Sequence, residues 1–245
     1  MTTIYVIGDT QSKEGVRNPL IPVAYHIAEL KPDYVMHLGD HWDFPSLSQY
    51  DKGKKSHRAR TYSKDVMAGN IAMEEFWAIL DKHWPQHKKK CKKIILLGNH
   101  EERRTRAMDY GPDELVDLME FIAPDYTGWD EVHDFLKIRR IKGVNFSHYF
   151  QNLNSGKAIG TARQILMKKH ASCIAGHMQG FDYAEMMTDV GMIQAIILGS
   201  TYYHKEAYKV QSNHHYRGTV MLTNVCGGQF DFNRYSLKSL TKKYL

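Results

Sequence analysis

The chain has few of the residues that would tie it to an oxidising compartment or to a membrane. Only three of its 245 residues are cysteines, Cys91, Cys173 and Cys226, and their spacing fits neither a zinc site nor a redox motif. An odd number of cysteines also argues against a disulfide framework. No apolar run approaches the roughly 20 residues that a membrane-spanning helix needs. We therefore expect a reducing, cytoplasmic setting and no membrane partner.

Internal repeats, low-complexity segments and a linker rich in proline or glycine are also absent from the sequence. Residues 1–3 lead directly into an apolar run, which predicts no signal peptide. With 42% hydrophobic and 24% charged residues, the composition is that of a globular protein with a sizeable core. Together, length and composition predict a single domain over residues 1–245.

Positive charge exceeds negative charge, with a net charge of +6 and an isoelectric point of about 9.0. The excess is concentrated in three runs, residues 52–60, 88–93 and 103–106. Basic clusters attract polyphosphates and nucleic acid, although a solvated surface carries similar runs. We favour the surface interpretation for residues 88–93. We associate residues 103–106 with a binding site, because they directly follow one of the motifs described below.

Short apolar segments that end in turns alternate with helical patterns in the first half of the chain. We predict strands at residues 3–8, 34–38, 93–97, 143–148, 172–176, 193–198, 219–225 and 229–235. We predict helices at residues 20–30, 63–83, 113–122 and 159–170. The alternation implies crossover connections and a largely parallel sheet in an α/β fold, whereas the second half looks more antiparallel. The polar, basic segment 44–62 is predicted to be a loop near the site or a lid.

Polar side chains follow four of the predicted strands, at the point where each strand ends. The four segments are Gly8–Gln11, Gly39–Asp43, Gly98–Glu101 and Gly176–Gln179. Open α/β sheets bind their ligands at the carboxyl edge, so these side chains are expected to lie together. Carboxylate, amide and imidazole groups in this arrangement indicate a polynuclear metal centre. The candidate ligands are Asp9, Asp40, Asn99, His148 and His177.

The chemistry expected of such a centre is phosphoryl transfer. Asp40 is the natural bridging ligand, because a carboxylate can give one oxygen to each of two cations. Two cations about 4 Å apart can hold both the attacking and the leaving oxygen, and a water molecule bound to them becomes acidic enough to act as the nucleophile. Gly176, next to His177, is expected to let a metal approach the backbone closely.

A second group of residues is predicted to act on the substrate directly. His100 is adjacent to the ligand Asn99 and could donate a proton to the leaving oxygen or stabilise the transition state. Asp43, three residues after Asp40, is the candidate partner that fixes the tautomer of His100 and raises its pKa. Arg103 could bind a phosphate oxygen in a bidentate manner.

Each of these features also has an ordinary structural explanation when it is taken alone. A glycine and an aspartate after a strand form a common turn, and a single histidine is more often a core or surface residue. The joint occurrence of all the motifs in one order favours the site. Residues that could line it less directly are His41, His204, His214 and His215. A late aromatic set, Tyr202, Tyr203, Tyr208 and Tyr216, could stack bases or form a dimer surface, but strand-edge tyrosines are common and we favour that explanation.

Taken together, the motifs resemble those of the calcineurin-like metallophosphoesterase superfamily. The family pattern is Asp-x-His, Gly-Asp-x-x-Asp, Gly-Asn-His-Asp/Glu, a lone His and Gly-His-x-His, and the resemblance spans residues 4–179. It implies a four-layer α/β/β/α sandwich with mixed sheets, a dinuclear metal site, and a pairing of His100 with Asp43 beside the metals. Residues 39–43 and 147–150 are most similar to uncharacterised phosphoesterases encoded by bacteriophages, which would place the protein in the host cytoplasm.

Two positions depart from the family pattern. Gln11 and Gln179 stand where the family has histidines, and by that pattern both belong to the same metal position as Asp9 and Asp40. Amide oxygens are harder and weaker donors than imidazole nitrogens. We therefore expect two divalent ions, with Mn²⁺ first and Mg²⁺, Ca²⁺ or Zn²⁺ as alternatives, one of them loosely bound. The alternative is that neither glutamine is a ligand.

A third difference concerns the substrate. The branch of the family that contains the Ser/Thr phosphoprotein phosphatases has an arginine directly after the second aspartate of its second motif, and this chain has Phe44 there. It shares only the segment Asn99–Arg103 with that branch. The leading hypothesis is a phosphodiesterase of nuclease type that acts on nucleic acid or nucleotides. The alternatives are a phosphomonoesterase or phosphoprotein phosphatase, a nucleic-acid-binding protein with a degraded metal site, and an enzyme completed by a partner subunit.

Overall fold

The computed structural model describes residues 1–54, 58–206 and 213–245. The strands are β1 (Thr2–Ile7), β2 (Tyr34–His37), β3 (Lys92–Leu96), β4 (Glu131–His133), β5 (Arg139–Ile141), β6 (Val144–Ser147), β7 (Cys173–Ala175), β8 (Asp182–Thr188), β9 (Gly191–Ile197), β10 (Gly218–Cys226) and β11 (Gln229–Ser236). The helices are α1 (Leu20–Leu30), α2 (Tyr62–His83), α3 (His87–Lys90), α4 (Glu102–Asp109), α5 (Asp113–Phe121), α6 (Ala162–Lys169) and α7 (Leu237–Tyr244).

The strands form two mixed sheets. The first has six strands in the order β11-β10-β1-β2-β3-β4, in which β1 to β4 run parallel and the hairpin β10-β11 is antiparallel. The second has five strands in the order β5-β6-β7-β9-β8, in which β6, β7 and β9 run parallel. Helices α1 and α2 are the crossovers between the parallel strands β1, β2 and β3, as the alternating pattern predicts.

Side-chain alternation along the strands builds four layers, α/β/β/α. In β1, Ile4 and Val6 lie in the core between the two sheets, whereas Tyr5 and Ile7 pack under the helices. The outer core of the first sheet is covered by α1, α2 and α7. The outer face of the second sheet packs on α6. The fold class expected from the family resemblance is therefore confirmed.

Helix α1 illustrates how local sequence sets the bounds of an element. It buries Leu20, Val23 and Ile27 against the first sheet. It ends at Lys31, which adopts a left-handed conformation with a φ of 52° and donates its N–H to the Ile27 carbonyl at 2.8 Å. Pro32 follows and cannot continue the helix. The chain is thereby turned into β2.

All eight predicted strands and all four predicted helices are present, with bounds that differ by a few residues at most. Three strands, β4, β5 and β8, and three helices, α3, α4 and α7, were not predicted. The expectation of a more antiparallel second half is confirmed by the pairs β5-β6, β8-β9 and β10-β11, the last of which turns at Gly227-Gly228. The exceptions are the parallel pairs β6-β7 and β7-β9, and α6 is the crossover helix between β6 and β7.

The basic segment 44–62 contains two short 3-10 turns at Pro45–Leu47 and Gln49–Asp51, and α2 begins at its end. Residues 55–57 of this segment lie outside the described residues, and so does Tyr208 of the late aromatic set. Within the described ranges, no helix is both long enough and apolar enough to cross a bilayer.

Candidate metal centre

The ends of five parallel strands converge at one edge of the sandwich. The loops after β1, β2 and β3 come from the first sheet, and those after β6 and β7 come from the second. Backbone contacts join the loops: the N–H groups of Thr10 and Gln11 donate to the Asp40 carbonyl at 3.2 and 2.8 Å, and Asp9 bridges to Ser200 after β9. The carboxyl edges of both sheets therefore enclose one site, as expected for an α/β sandwich.

Asp40, His148 and His177 form the compact centre of this site. One ligand atom of each lies within 4.8 Å of the others. Nδ1 of His148 lies 2.8 Å from the Leu38 carbonyl oxygen, and because a carbonyl can only accept, Nδ1 carries the proton. Its Nε2 therefore faces the cluster, 3.4 Å from Asp40 Oδ2 and 2.9 Å from Asn99 Oδ1. In other proteins, a hydrogen bond from the ring nitrogen that does not bind the metal orients a metal-binding histidine in this way.

Asp9 supplies a further buried carboxylate. Its Oδ1 accepts the backbone N–H of His177 at 3.0 Å, and its Oδ2 is buried with no hydrogen-bond partner among the described residues. Burial, and then the charge of Asp40, raise the pKa of Asp9 to about 7. A buried carboxylate oxygen without a donor is costly unless a cation neutralises it. Asp9 therefore fits a metal ligand.

The carboxylates and imidazoles of the cluster favour one another's charged forms. Burial favours the neutral form of Asp40, but the neighbouring His100 and His148 outweigh it and hold the pKa of Asp40 well below its usual range. Burial likewise disfavours a charged His148, but Asp40 dominates and raises the pKa of His148 to about 9. The carboxylates thus draw positive charge into a buried space. Their oxygen donors and the imidazole nitrogens fit a divalent ion.

Glycines make room for these carboxylates. A Cβ atom on Gly98 would lie closer than 3.0 Å to both the backbone nitrogen and the carboxylate of Asp40. A Cβ atom on Gly176 would lie 2.8 Å from Asp9 Oδ1. Gly176 thus gives space to the Asp9 carboxylate, whereas the sequence had suggested space for a metal at the backbone.

Four of the seven candidate metal ligands have a left-handed backbone. The φ angles are 43° for Gln11, 51° for Asp40, 64° for His177 and 57° for Gln179. This region is unfavourable for residues with a side chain, and such residues concentrate at functional sites. Gln11 and Gln179 are both buried on the loops that carry Asp9 and His177. Gln11 Oε1 lies 3.3 Å from His204 Nε2. Their role as ligands stays a prediction.

The pair His100–Asp43 lies directly beside Asp40. Nδ1 of His100 is 2.7 Å from Asp43 Oδ1, and its Nε2 is 3.7 Å from Asp40 Oδ2. Burial works against a charged His100, but the two aspartates outweigh it and raise the pKa of the imidazole. Arg103 lies beside the same ring, with Nη2 at 3.0 Å from His100 Nε2, and its Nη1 donates to the Asp43 carbonyl at 2.8 Å.

Two residues of the site had no role assigned from the sequence. Glu101 is buried, and its carboxylate accepts four backbone N–H groups at 2.7–2.9 Å from the loops after β2 and β3. Its place in the Gly98–Glu101 motif was the only signal. Lys13 donates to Asp43 Oδ2 at 2.8 Å from the loop after β1. No sequence signal marked Lys13.

The basic runs divide between the site and the rest of the surface. Arg103 contacts the site, but Arg104 donates to Tyr62 and to the Met119 carbonyl, and Arg106 lies 3.9 Å from Glu102. The run 88–93 precedes and begins β3, so it lies at the sheet edge opposite the site.

Several other candidates turn out to be structural. His41 is buried, with its ring bonded to Thr10 and to the Gly69 carbonyl, so it does not line the site. His215 bonds to Ser200, and His214 is exposed. Tyr202 is buried against His204, so it is no exposed stacking platform. His204 approaches the metal centre through Gln11.

Comparison with known proteins agrees with this geometry. The family model for calcineurin-like phosphoesterases matches residues 2–216. The Gene 54 protein of Mycobacterium phage L5 is 28% identical over 184 residues, which is 71% of this chain and 68% of that protein. The Gene 54 protein of Mycobacterium phage D29 is 39% identical over 62 residues, 25% of this chain and 24% of that protein.

Two solved structures also align with the chain. YfcE, a phosphoesterase from E. coli, aligns with a TM-score of 0.43 and 11% identity, covering 96% of this chain and all of that one (100%). Vps29 from Entamoeba histolytica, in complex with zinc, aligns with a TM-score of 0.42 and 11% identity, covering 96% of this chain and 99% of that one.

Proposed function

The chain belongs to the calcineurin-like phosphoesterase family, and we propose that it is a metal-dependent hydrolase of phosphodiester bonds in nucleic acid or nucleotides. One observation carries the proposal. His100, held through Nδ1 by Asp43 at 2.7 Å, turns its Nε2 towards the buried cluster around Asp40. A protein that only binds a ligand has no need of an oriented proton donor beside a metal centre.

The residues that would hold the metals are the seven candidates of the cluster. They are Asp9, Gln11, Asp40, Asn99, His148, His177 and Gln179. When bound, divalent ions supply positive charge to the phosphate and acidify a water molecule. Because oxygen donors dominate at the position with the two glutamines, we propose that Mn²⁺ fills it best, and that this ion is held less tightly than the other.

The contacts of the residues around the phosphate support the roles that we propose for them. Asp43 accepts the Nδ1 proton of His100, so Nε2 is the nitrogen that exchanges a proton with the leaving oxygen. Nη2 of Arg103 lies 3.0 Å from that nitrogen, and we propose that the guanidinium binds a phosphate oxygen when substrate is present. Asp43 also anchors Arg103 through its backbone carbonyl.

Phosphodiesters are favoured over phosphomonoesters by the sparse cations of the site. Phe44 is fully buried and stacks on Tyr62 with ring centroids 5.8 Å apart, so its position adds no cation. A diester has one negative charge fewer than a monoester at neutral pH and therefore needs fewer cationic partners. The net charge of +6 supports a polyanionic substrate.

We further propose that residues 1–245 act as one metallophosphoesterase domain in the cytoplasm, the host's if the chain is phage-encoded. The similarity to two phage proteins supports that setting.

The test is hydrolysis by metal-stripped protein to which Mn²⁺, Mg²⁺, Zn²⁺ or Ca²⁺ is added back. The substrates are bis-p-nitrophenyl phosphate, p-nitrophenyl phosphate, and single- and double-stranded DNA. We expect metal-dependent cleavage of the diesters, and a loss of about 10²–10⁴-fold in His100→Ala. His83→Ala, an exposed histidine at the end of α2, is the matched control and should keep its activity.

Other outcomes would contradict the proposal in distinguishable ways. Faster hydrolysis of the monoester than of any diester would identify a phosphomonoesterase. No turnover with any metal, together with intact DNA binding, would identify a binding protein that has kept the scaffold of an enzyme.

A further inference from the structure

A cleft of about 390 Å³ lies beside the metal centre, between the loop of residues 12–19 and one face of helix α2. The helix contributes Lys64, Met67, Ala68, Ile71, Ala72 and Glu75 to its wall. These positions repeat at three and four residues and so form one continuous helical face. Val16 and Ile21 line the opposite side. We call this space the α2 cleft.

The wall of the α2 cleft contains apolar side chains that are not part of the core. Helix α2 already packs Val66, Met73 and Phe76 into the core on its other face. Met67 and Ile71 are nevertheless 59% and 47% exposed, one turn apart in the concave wall. Neighbouring exposed apolar side chains in a concave surface are typical of ligand-binding sites.

A buried hydroxyl group in the same cleft lacks a partner. Ser12 lines the cleft, its residue is only 7% exposed, and its Oγ has no hydrogen-bond partner among the residues that the structure describes. Both backbone groups of Ser12 are hydrogen-bonded, since the N–H donates to the His41 carbonyl and the carbonyl accepts the N–H of Asp43. A polar ligand atom in the cleft would satisfy the hydroxyl.

Cations connect the cleft to the catalytic residues. Lys13 lines the cleft and donates to Asp43 Oδ2 at 2.8 Å, so it belongs to both spaces. Arg17 also lines the cleft, with its guanidinium 5.2 Å from the Tyr203 ring centre, and Lys64 is paired with Glu14. Glu14 and Glu75 line the cleft as well, so its charges are mixed. The ammonium group of Lys13 lies at the junction with the metal centre, and the apolar side chains of Met67 and Ile71 lie on the helical wall.

We propose that the α2 cleft binds the nucleoside portion of the substrate, with its base on Met67 and Ile71 and a phosphate oxygen at Lys13. This inference rests on the proposed phosphodiesterase function and names the group that the enzyme recognises next to the scissile phosphate. A nucleoside joined to the scissile phosphate matches this order of groups: an anionic phosphate at one end, the sugar with its hydroxyl in the middle, and a flat, weakly polar base at the other end. Ser12 Oγ then bonds to a sugar hydroxyl or to the base.

The first experiment measures binding and not turnover. The protein with Mn²⁺ is titrated calorimetrically with thymidine 5′-monophosphate and, separately, with 2-deoxyribose 5-phosphate, which lacks the base. We expect the nucleotide to bind at least tenfold more tightly. Ile71→Asp should abolish that preference while leaving the affinity for 2-deoxyribose 5-phosphate unchanged. Met167→Asp, on α6 and 56% exposed, is the matched control and should keep the preference.

A second variant tests the hydroxyl group. Ser12→Ala removes an unpartnered buried polar atom, so the protein should be at least as stable as the native one, yet its affinity for the nucleotide should fall by about three- to tenfold. Equal affinity of the native protein for both ligands would overturn the proposal. A preference that survives Ile71→Asp would overturn it too.

Failure of the proposed function has a different signature. Methyl p-nitrophenyl phosphate is a diester without a sugar or a base, so its hydrolysis reports on the catalytic residues and not on recognition of a nucleoside. If it and the other diesters are not hydrolysed with any metal while the preference for thymidine 5′-monophosphate is present, the catalytic assignment fails and the cleft assignment stands. If they are hydrolysed and the preference is absent, the enzyme is as proposed and the cleft has another role.

Discussion

Replacement of Glu101 by alanine is expected to loosen the two loops that carry Asp40 and Asn99. The Glu101 carboxylate is the only described acceptor for the N–H groups of Asp40, His41 and Trp42 from one loop and of Gly98 from the other, at 2.7–2.9 Å. Burial, and then the charge of Asp40, raise the pKa of Glu101, so both effects disfavour the charged form of this carboxylate. Its four hydrogen bonds must outweigh that cost.

The magnitude follows from these four bonds. A hydrogen bond to a charged acceptor contributes about 1.5–3 kcal/mol, and a donor left unpaired in the interior costs about 1–3 kcal/mol. A simple sum overstates the loss, because water enters the vacated space and the repulsion with Asp40 disappears. We expect Glu101→Ala to lower the free energy of unfolding by about 3–5 kcal/mol. Glu101→Gln keeps one acceptor oxygen for two of the donors and should lose roughly half as much.

Urea unfolding of the metal-free protein, followed by circular dichroism, measures this difference. With a slope of about 3 kcal/mol per M, the midpoint should fall by about 1–1.7 M. The neighbouring Glu102→Ala is the control, because among the described residues the Glu102 carboxylate has a single charged contact, with Arg106 at 3.9 Å, and its loss should change stability by less than about 0.5 kcal/mol. Metal affinity should fall at least tenfold in Glu101→Ala and stay unchanged in Glu102→Ala. A loss of stability below about 1 kcal/mol would refute the reasoning.

Three further predictions test other parts of the structure. Burial lowers the pKa of His26 from 6.5 to about 4, so its contribution to stability is fully present above pH 6.5 and is lost, by up to about 3 kcal/mol, as the pH falls to 4. His26→Gln should reduce the pH dependence of the unfolding free energy between pH 4 and 6.5, and an unchanged pH dependence would contradict the assignment. Gly98→Ala should prevent metal binding, measured by calorimetry, because a Cβ atom at this position would clash with Asp40. Gly160→Ala is the control, because its Cβ atom would lie at an ordinary distance of 3.7 Å from Met178, and this variant should bind metal normally. Normal binding by both variants would rule out the steric argument. The double variant Gln11→His, Gln179→His should bind Mn²⁺ or Zn²⁺ at least tenfold more tightly if the glutamines are ligands, and unchanged metal content and affinity would show that they are not.

Which strands could be predicted depended on where each one lies in its sheet. The central strands β1, β2, β3 and β7 are buried on both faces, so each appears in the sequence as an apolar run. The three strands that were missed, β4, β5 and β8, are all edge strands. An edge strand needs few buried side chains and often carries charge, as the two arginines of β5 do. Helix α4 was missed for the same reason, since it buries none of its residues.

The candidate metal centre could be predicted because its residues follow buried strands. A strand that runs into Gly39-Asp40 or Gly98-Asn99 brings its turn to the carboxyl edge, and parallel pairing then aligns the turns. The pairing of His100 with Asp43, 57 residues apart, was proposed because Asp43 follows Asp40 by three residues, and the resemblance to a family implied it as well. Neither hydrophobic periodicity nor composition records which two loops meet.

The sequence by itself therefore determined the central strands, the crossover helices and the candidate ligands at the strand ends, because each depends on local burial and local turn chemistry. Only the tertiary structure decided that Glu101 joins two loops, that Lys13 approaches Asp43 from a third, and that the exposed face of α2 encloses a cleft with Ser12. Those contacts form between loops that are distant in the chain, and their energy comes from desolvation and hydrogen bonds after the sheets have assembled.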